Sequence, residues 1–146
     1  KFREDGLRGE RILYLLDNAG EIFFDRILME VLCEEGKDVV CAVRKGAIIN
    51  DATIEDAKFA EIDKIAKVIE GEMLAPSAPG FFVENFSPEL REEFERCDVV
   101  ISKGQGNYEA LSNVERRVYF LLLVKCKLVA RDIGREVGDF VMKVIN

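Results

Sequence analysis

Short, continuous apolar runs alternate with amphipathic segments along most of this 146-residue chain. Residues 12–16 form a run of five apolar residues, which is typical of a strand that is buried on both faces. Residues 21–35 then repeat apolar side chains at helical spacing, and Gly36 follows as a helix terminator. Alternating strands and helices form parallel sheets with helices on both faces. The sequence therefore predicts an α/β fold, a three-layer α/β/α sandwich with a mostly parallel, Rossmann-like sheet.

The alternation continues to the C-terminus. Ser87 and Pro88 predict a helix start, because Ser is a favoured N-cap and Pro a favoured first helical residue. Residues 71–86 contain two of the three prolines, so we expect a long loop there. The apolar patterns predict further strands at 38–44, 67–70, 98–102, 119–124 and 127–131, and further helices at 53–59, 60–66, 108–114 and 136–145.

Composition restricts both the chemistry and the partners. The chain has no histidine, which excludes Ser-His-Asp and Cys-His nucleophiles, imidazole bases and His-ligated metals. The net charge of −7 disfavours binding to nucleic acid or acidic lipid. The four cysteines form no CxxC pair and lie in apolar runs, as reduced core thiols do, and no apolar run is long enough to span a membrane. We therefore expect a cytoplasmic protein with neither nucleic acid nor membrane as a partner.

Oxygen-bearing side chains follow the first two predicted strands. Asp17 and Asn18 end the first strand, and Asp51 follows the second, so a parallel sheet would bring them to one edge. Such Asp and Asn oxygens suit Mg²⁺ or Mn²⁺. Two alternatives stay open: Asn18 caps a helix together with Glu21 in a capping box, or Asn50 and Asp51 cap the next helix. A carboxylate directly after a buried strand, as at Asp17, is poorly explained by capping alone.

A lysine and two glycines follow the fourth predicted strand. Lys103 supplies an ammonium group, and Gly104 and Gly106 allow backbone N–H groups to face an anion, which is the usual environment of a phosphate. The alternative is an ordinary strand-to-helix turn that needs glycine. The segment is neither a Walker loop nor a Rossmann fingerprint, since the required glycine pattern is missing. Lys125 is expected to be a solvated surface lysine.

Three motifs carry a resemblance to a known family. The segments DNAGE at 17–21, INDATIEDA at 49–57 and KGQGNYE at 103–109 closely resemble the DUF89 family of metal-dependent damage-control phosphatases, in its prokaryotic branch. The segment YFLLLVKC at 119–126 also fits that branch. The motifs occur in the family's order, and the resemblance extends from about residue 11 to the C-terminus.

The resemblance implies an α/β/α sandwich that hydrolyses phosphomonoesters with a divalent metal ion, Mg²⁺, Mn²⁺, Co²⁺ or Ni²⁺. The implied partners are small phosphorylated metabolites, such as sugar phosphates and phosphopantetheine-type compounds. The metal ligands that it implies are Asp17, Asn18 and Asp51. The residues expected to take part in catalysis are Asp17, Asp51, Glu21 and Lys103, with Asp51 or Glu21 orienting the water. Those expected to bind the substrate are Asn50, Lys103, Gly104, Gly106 and Asn107.

The chain departs from the family in its domain organisation. Family members usually carry an N-terminal all-helical domain, which this sequence lacks. We therefore expect residues 1–146 to be one α/β catalytic domain, the C-terminal part of a longer protein. Two rival interpretations stay open. In one, the chain is a non-catalytic nucleotide- or phosphometabolite-binding module that needs no metal; in the other, it is a stable fragment that depends on upstream residues for activity. The sequence predicts no oligomeric state.

Overall fold

The computed structural model describes residues 9–145, which form one six-stranded sheet with helices on both faces. In this part of the chain, no helix combines the length and apolar character needed to cross a membrane. The strands are β1 (Arg11–Leu15), β2 (Asp38–Val43), β3 (Lys67–Glu70), β4 (Val99–Lys103), β5 (Val118–Leu123) and β6 (Phe140–Ile145). The helices are α1 (Ile22–Glu34), α2 (Ile54–Phe59), α3 (Pro88–Arg96), α4 (Gln105–Leu111) and α5 (Lys127–Ile133), with 3₁₀ turns at Ile62–Lys64 and Val83–Asn85.

The sheet has the strand order β3-β2-β1-β4-β5-β6. The first five strands are parallel, and β6 pairs with β5 in the antiparallel direction at one edge. Strand β1 lies at the centre of the parallel part, between β2 and β4, where the strand order reverses. Ligands of open α/β sheets bind beyond the carboxyl ends of the strands at such a reversal. The predicted α/β fold and mostly parallel sheet are confirmed.

Alternate residues of the central strand contribute to two separate cores. Leu13 and Leu15 pack on one face, with side chains of α3, α4 and α5. Ile12 and Tyr14 pack on the other, with side chains of α1 and α2. A strand buried on both faces explains why β1 appears in the sequence as a continuous apolar run rather than as an alternating one. The predicted cap of α3 is also present, since the Ser87 hydroxyl accepts a 3.1 Å hydrogen bond from the backbone N–H of Leu90.

Two predicted elements in the C-terminal part are wrong. Residues 127–131, predicted as a strand, belong to helix α5, which buries Val129 and Ala130 and ends at Gly134 in the left-handed conformation. Residues 136–145, predicted as a helix, contain a turn at Gly138 and then the edge strand β6. Short apolar runs do not distinguish helix from strand, and here the pairing of β6 with β5 decides. Helix α4 also begins at Gln105 rather than at Tyr108.

Candidate active site

The loops after β1 and β2 are joined by their backbones at the carboxyl edge of the sheet. The N–H of Ala52 donates to the carbonyl of Asp17 at 2.7 Å, and Asn18 and Asp51 form an isolated antiparallel bridge. These links bring together the three residues predicted as metal ligands, although Asp51 is more than thirty positions from Asp17 and Asn18 in sequence. The side chains therefore rest on a rigid backbone frame.

The Asp17 carboxylate is held in a partly buried position against β4. Burial, together with the negative charges of Asp51 and Glu21, raises the pKa of Asp17 to about 6. Gly104 makes room for the carboxylate: a Cβ atom at that position would lie 2.0 Å from the Asp17 Oδ2 atom. Gly104 also has φ +82° and ψ 161°, a conformation that other residues rarely adopt. The glycine is therefore required by both the space and the backbone.

The Asp51 carboxylate lies deeper, with 9% of the residue exposed. Burial raises the pKa of Asp51, although Arg44 and Lys125 act in the opposite direction. The Arg44 Nε atom lies 3.7 Å from the Asp51 Oδ2 atom, and its Nη2 atom pairs with Glu72 at 2.8 Å. Neither Arg44 nor Glu72 was predicted to belong to the site. Nothing local in the sequence predicts their pairing, because Glu72 belongs to the loop after β3.

Asn18 and Glu21 connect Asp17 to helix α1. The Asn18 amide nitrogen donates to Asp17 at 3.0 Å and to Glu21 at 3.1 Å. No side-chain hydrogen bond caps the first turn of α1, so the capping alternative for Asn18 has no support in the structure. Helix α2 instead begins after Thr53, whose backbone N–H donates to Asp56 at 2.8 Å. Neither predicted cap explains the acidic residues at the sheet edge.

Lys103, at the end of β4, is fixed by carboxylates of α1. Its Nζ atom lies 2.7 Å from Asp25 Oδ1 and 3.2 Å from Glu21 Oε2. Burial acts to lower the pKa of Lys103, but these two carboxylates outweigh it and hold the pKa above the usual value of 10.5. The Tyr14 hydroxyl donates to the same Asp25 oxygen at 2.8 Å. Lys103 is therefore a firmly charged, oriented ammonium group.

Asp25 was not among the predicted site residues, although the sequence carries a signal for it. Asp25 is only 4% exposed and lies on the buried face of α1, between Ile22 and Met29. A carboxylate inside the apolar stripe of a helix is costly unless a cation pairs with it. Its position at i+3 from Ile22 could therefore have indicated a buried partner such as Lys103.

Three predicted substrate-binding residues are not among those that line the cavity at this edge. Asn107 is buried, and its amide bonds only to backbone: it donates to the carbonyls of Leu16 and Lys103 and accepts from Phe81. Gly106 packs against the backbone of residues 79–80. Asn50 is exposed at the loop surface. The hydrogen bonds of Asn107 are those of a residue that positions the ends of β1 and β4, and direct substrate contact by these three residues stays a prediction.

A cavity of about 510 Å³ opens beside Asp17 at this edge. Glu21, Lys103 and Gly104 line it together with Asp17, and the exposed side chain of Lys125 lies at its margin. Lys125 is close enough to the acidic pair to lower the pKa of both Asp17 and Asp51. It is solvated as predicted, but it also faces the site.

The chemistry of these donors fits a hard divalent cation. Burial raises the pKa of both Asp17 and Asp51, and the charge of Asp51 raises that of Asp17 further, which is the environment that a bound cation would relieve. The Asn18 amide supplies a neutral oxygen as a third donor. Among residues 9–145, no group of three or more His, Cys, Asp or Glu side chains has the arrangement of a metal site. The candidate set differs from such a group because one of its three members is an amide.

The chain is an α/β sandwich with an acidic cluster at β1, where the strand order of the sheet reverses. Comparison with known proteins identifies its family. The model of the damage-control phosphatase ARMT1-like domain matches residues 2–141. The chain therefore belongs to this family, which includes the DUF89 proteins of the predicted resemblance.

Individual proteins of three organisms resemble this chain in sequence or in structure. The chain is 47% identical over 137 residues to an uncharacterised protein of Methanocaldococcus jannaschii, covering 91% of this chain and 44% of that protein. It is 44% identical to a damage-control phosphatase of Archaeoglobus fulgidus over 143 residues, with coverages of 96% and 48%. A crystal structure of a DUF89 family protein from Pyrococcus horikoshii superposes with a TM-score of 0.89 at 42% identity, covering 95% of this chain and 48% of that one. The chain thus spans about half the length of these relatives.

Proposed function

We propose that the chain is the catalytic domain of a metal-dependent phosphatase that hydrolyses phosphomonoesters of small metabolites. The observation that carries the proposal is the placement of the partly buried Asp17 and the buried Asp51 at the sheet edge where Lys103 also lies. Acidic donors for a cation and a fixed positive charge, side by side, are what phosphoryl transfer requires. Relatives from Archaeoglobus fulgidus and Pyrococcus horikoshii that are named damage-control phosphatases support the same reaction class.

In this proposal Asp17, Asn18 and Asp51 hold the divalent ion. The ion, Mg²⁺, Mn²⁺, Co²⁺ or Ni²⁺, would supply charge neutralisation at a phosphoryl oxygen and a more acidic water. The backbone links between the two loops keep the carboxylates together despite their repulsion. The narrow space at Gly104 fixes the direction of the Asp17 carboxylate.

Lys103 binds the transferring phosphoryl group and stabilises its developing charge. Its charge is secured by Asp25, which leaves the ammonium protonated throughout the neutral pH range. We assign the orientation of the attacking water to Glu21, because Glu21 lines the cavity whereas Asp51 is buried and faces Arg44. The substrates proposed are sugar phosphates and phosphopantetheine-type compounds.

The test is phosphate release from a panel of these esters with each of the four metals and with EDTA. Asp17→Asn and Asp51→Asn are compared with Asp63→Asn, a matched control at an exposed position of the Ile62–Lys64 turn. We expect losses above about 100-fold for the first two, because even residues that only support metal ligands contribute about 10- to 100-fold. Equal metal-dependent turnover in all three variants would refute the proposal. Tight binding of phosphorylated ligands in EDTA, without hydrolysis, would identify a binding module instead.

A further inference from the structure

The cavity beside Asp17 has an apolar side formed by strands β5 and β6. Its lining there includes Leu121, Leu123, Phe140 and Met142, which we call the apolar wall. Phe140 is 88% exposed and Met142 is 51% exposed. Large apolar side chains that lie together and in contact with water commonly mark a binding surface. The apolar wall therefore calls for an explanation that the phosphoryl chemistry alone does not give.

The register of the sheet places the apolar wall next to Lys103. Leu121 lies opposite Lys103 in the parallel pair β4–β5 and opposite Met142 in the antiparallel pair β5–β6. Leu123 lies opposite Phe140 in the following row. Residues that lie opposite each other project from the same face of a sheet. With strands about 4.8 Å apart, the backbone of Met142 is roughly 10 Å from that of Lys103.

We propose that the apolar wall is the subsite for the alcohol part of the substrate, and that the preferred substrates are phosphomonoesters whose leaving group carries an alkyl or aryl chain. This inference rests on the proposed function. A phosphate bound at Lys103 would place the atoms beyond its ester oxygen toward Leu121, and a chain of several carbons would extend along β5 and β6. A cavity with a few polar groups at one end and apolar side chains elsewhere is typical of a small-molecule site, and about 510 Å³ is a suitable volume.

The size of the expected preference follows from the burial of methylene groups. Full burial of one CH₂ corresponds to about a fourfold gain in binding. The apolar wall covers one side of a chain only, so we expect about twofold per CH₂ in kcat/KM. Hexyl phosphate, with four more CH₂ groups than ethyl phosphate, should therefore be hydrolysed about 16-fold more efficiently.

The experiment compares ethyl, butyl and hexyl phosphate, whose leaving alcohols are chemically alike. In parallel, calorimetry with Mg²⁺ measures the affinity for ethyl-, butyl- and hexylphosphonate, which cannot be hydrolysed at the P–C bond. The variant is Phe140→Ser, and its matched control is Phe59→Ser, since Phe59 is 80% exposed but lies on α2 outside the cavity. Phe140→Ser should lower the hexyl-to-ethyl ratio of kcat/KM about fourfold, and Phe59→Ser should leave that ratio at its wild-type value.

The outcomes separate this inference from the proposed function. Values of kcat/KM and affinity that do not depend on chain length overturn the inference, and so does an equal effect of the two serine variants. Sedimentation that shows a dimer dissociated by Phe140→Ser, together with no chain-length dependence, also overturns it and identifies a second copy as the occupant. Phosphonate affinity that rises with chain length while no ester is hydrolysed supports the subsite and refutes the phosphatase.

Discussion

Replacing Asp17 with asparagine should make the metal-free protein more stable. The pKa of this carboxyl is about 6 in the folded protein and 3.8 in the unstructured reference, with burial as the main cause. A difference of about two pKa units corresponds to about 3 kcal/mol at 1.36 kcal/mol per unit. Above pH 6 the ionised Asp17 therefore lowers the free energy of unfolding by up to about 3 kcal/mol. Asparagine has nearly the same shape and no charge to desolvate.

The raised pKa of Asp17 also fixes how the free energy of unfolding should change with pH. Because the folded pKa is raised, the folded state binds the proton more tightly than the unfolded state, so wild-type stability falls as pH rises from 3.8 to about 6. The advantage of Asp17→Asn should thus be complete above pH 6 and absent below 3.8. For a chain of this length, about 3 kcal/mol corresponds to about 10 °C in Tm.

The assay is urea and thermal unfolding in EDTA at pH 7.5 and pH 4, with Asp63→Asn as the exposed control. Adding Mg²⁺ should then raise the Tm of the wild type but not that of Asp17→Asn, since only a folded state that binds the ion is stabilised. Phosphatase activity should be lower in Asp17→Asn than in the wild type, although the variant is the more stable of the two. A variant no more stable than wild type at pH 7.5, or a stability difference that persists at pH 4, would show that the buried charge of Asp17 does not destabilise the folded protein.

Two further substitutions test the site from its supporting residues. Gly104→Ala should destabilise the protein by about 3 kcal/mol and displace Asp17. The control is Gly36→Ala, which should cost only about 1 kcal/mol, because Gly36 has φ +79° but open space around it. Equal losses of the two variants in denaturant unfolding would contradict the contact between position 104 and Asp17. Asp25→Asn should destabilise by about 2 kcal/mol and reduce kcat more than tenfold, because Lys103 loses its nearer counter-charge, and an unchanged kcat would show that Asp25 does not position Lys103.

The parallel core of the fold could be predicted from the sequence, because its strands are buried on both faces. Burial on both faces makes β1 a run of apolar residues, and few other environments produce such a run. The C-terminal elements lack that constraint. No residue of β6 is fully buried, and Phe140 and Met142 are exposed, so the strand is specified by its pairing with β5, from which helix α5 separates it in sequence.

The candidate site was predictable where each residue ends a strand. Lys103 ends β4, Asp17 lies just beyond β1, and Asp51 lies in the loop after β2, so the parallel sheet brings all three to one edge. Asp25 and Arg44 were missed for a different reason. Each is a buried charge whose partner comes from another element, and the sequence shows only that a charge occupies an apolar context, not which side chain neutralises it.

The two acidic loops are held together by backbone groups, which are uncharged and do not titrate. The hydrogen bond from Ala52 to Asp17 and the Asn18–Asp51 bridge are backbone contacts, so they persist when the carboxylates titrate. The backbone therefore keeps the two acids close, and beyond the charges of Arg44 and Lys125, protonation or cation binding relieves their repulsion. A rigid backbone thus converts electrostatic strain into affinity for a cation, and substitutions that lower the strain should raise stability and lower metal affinity together.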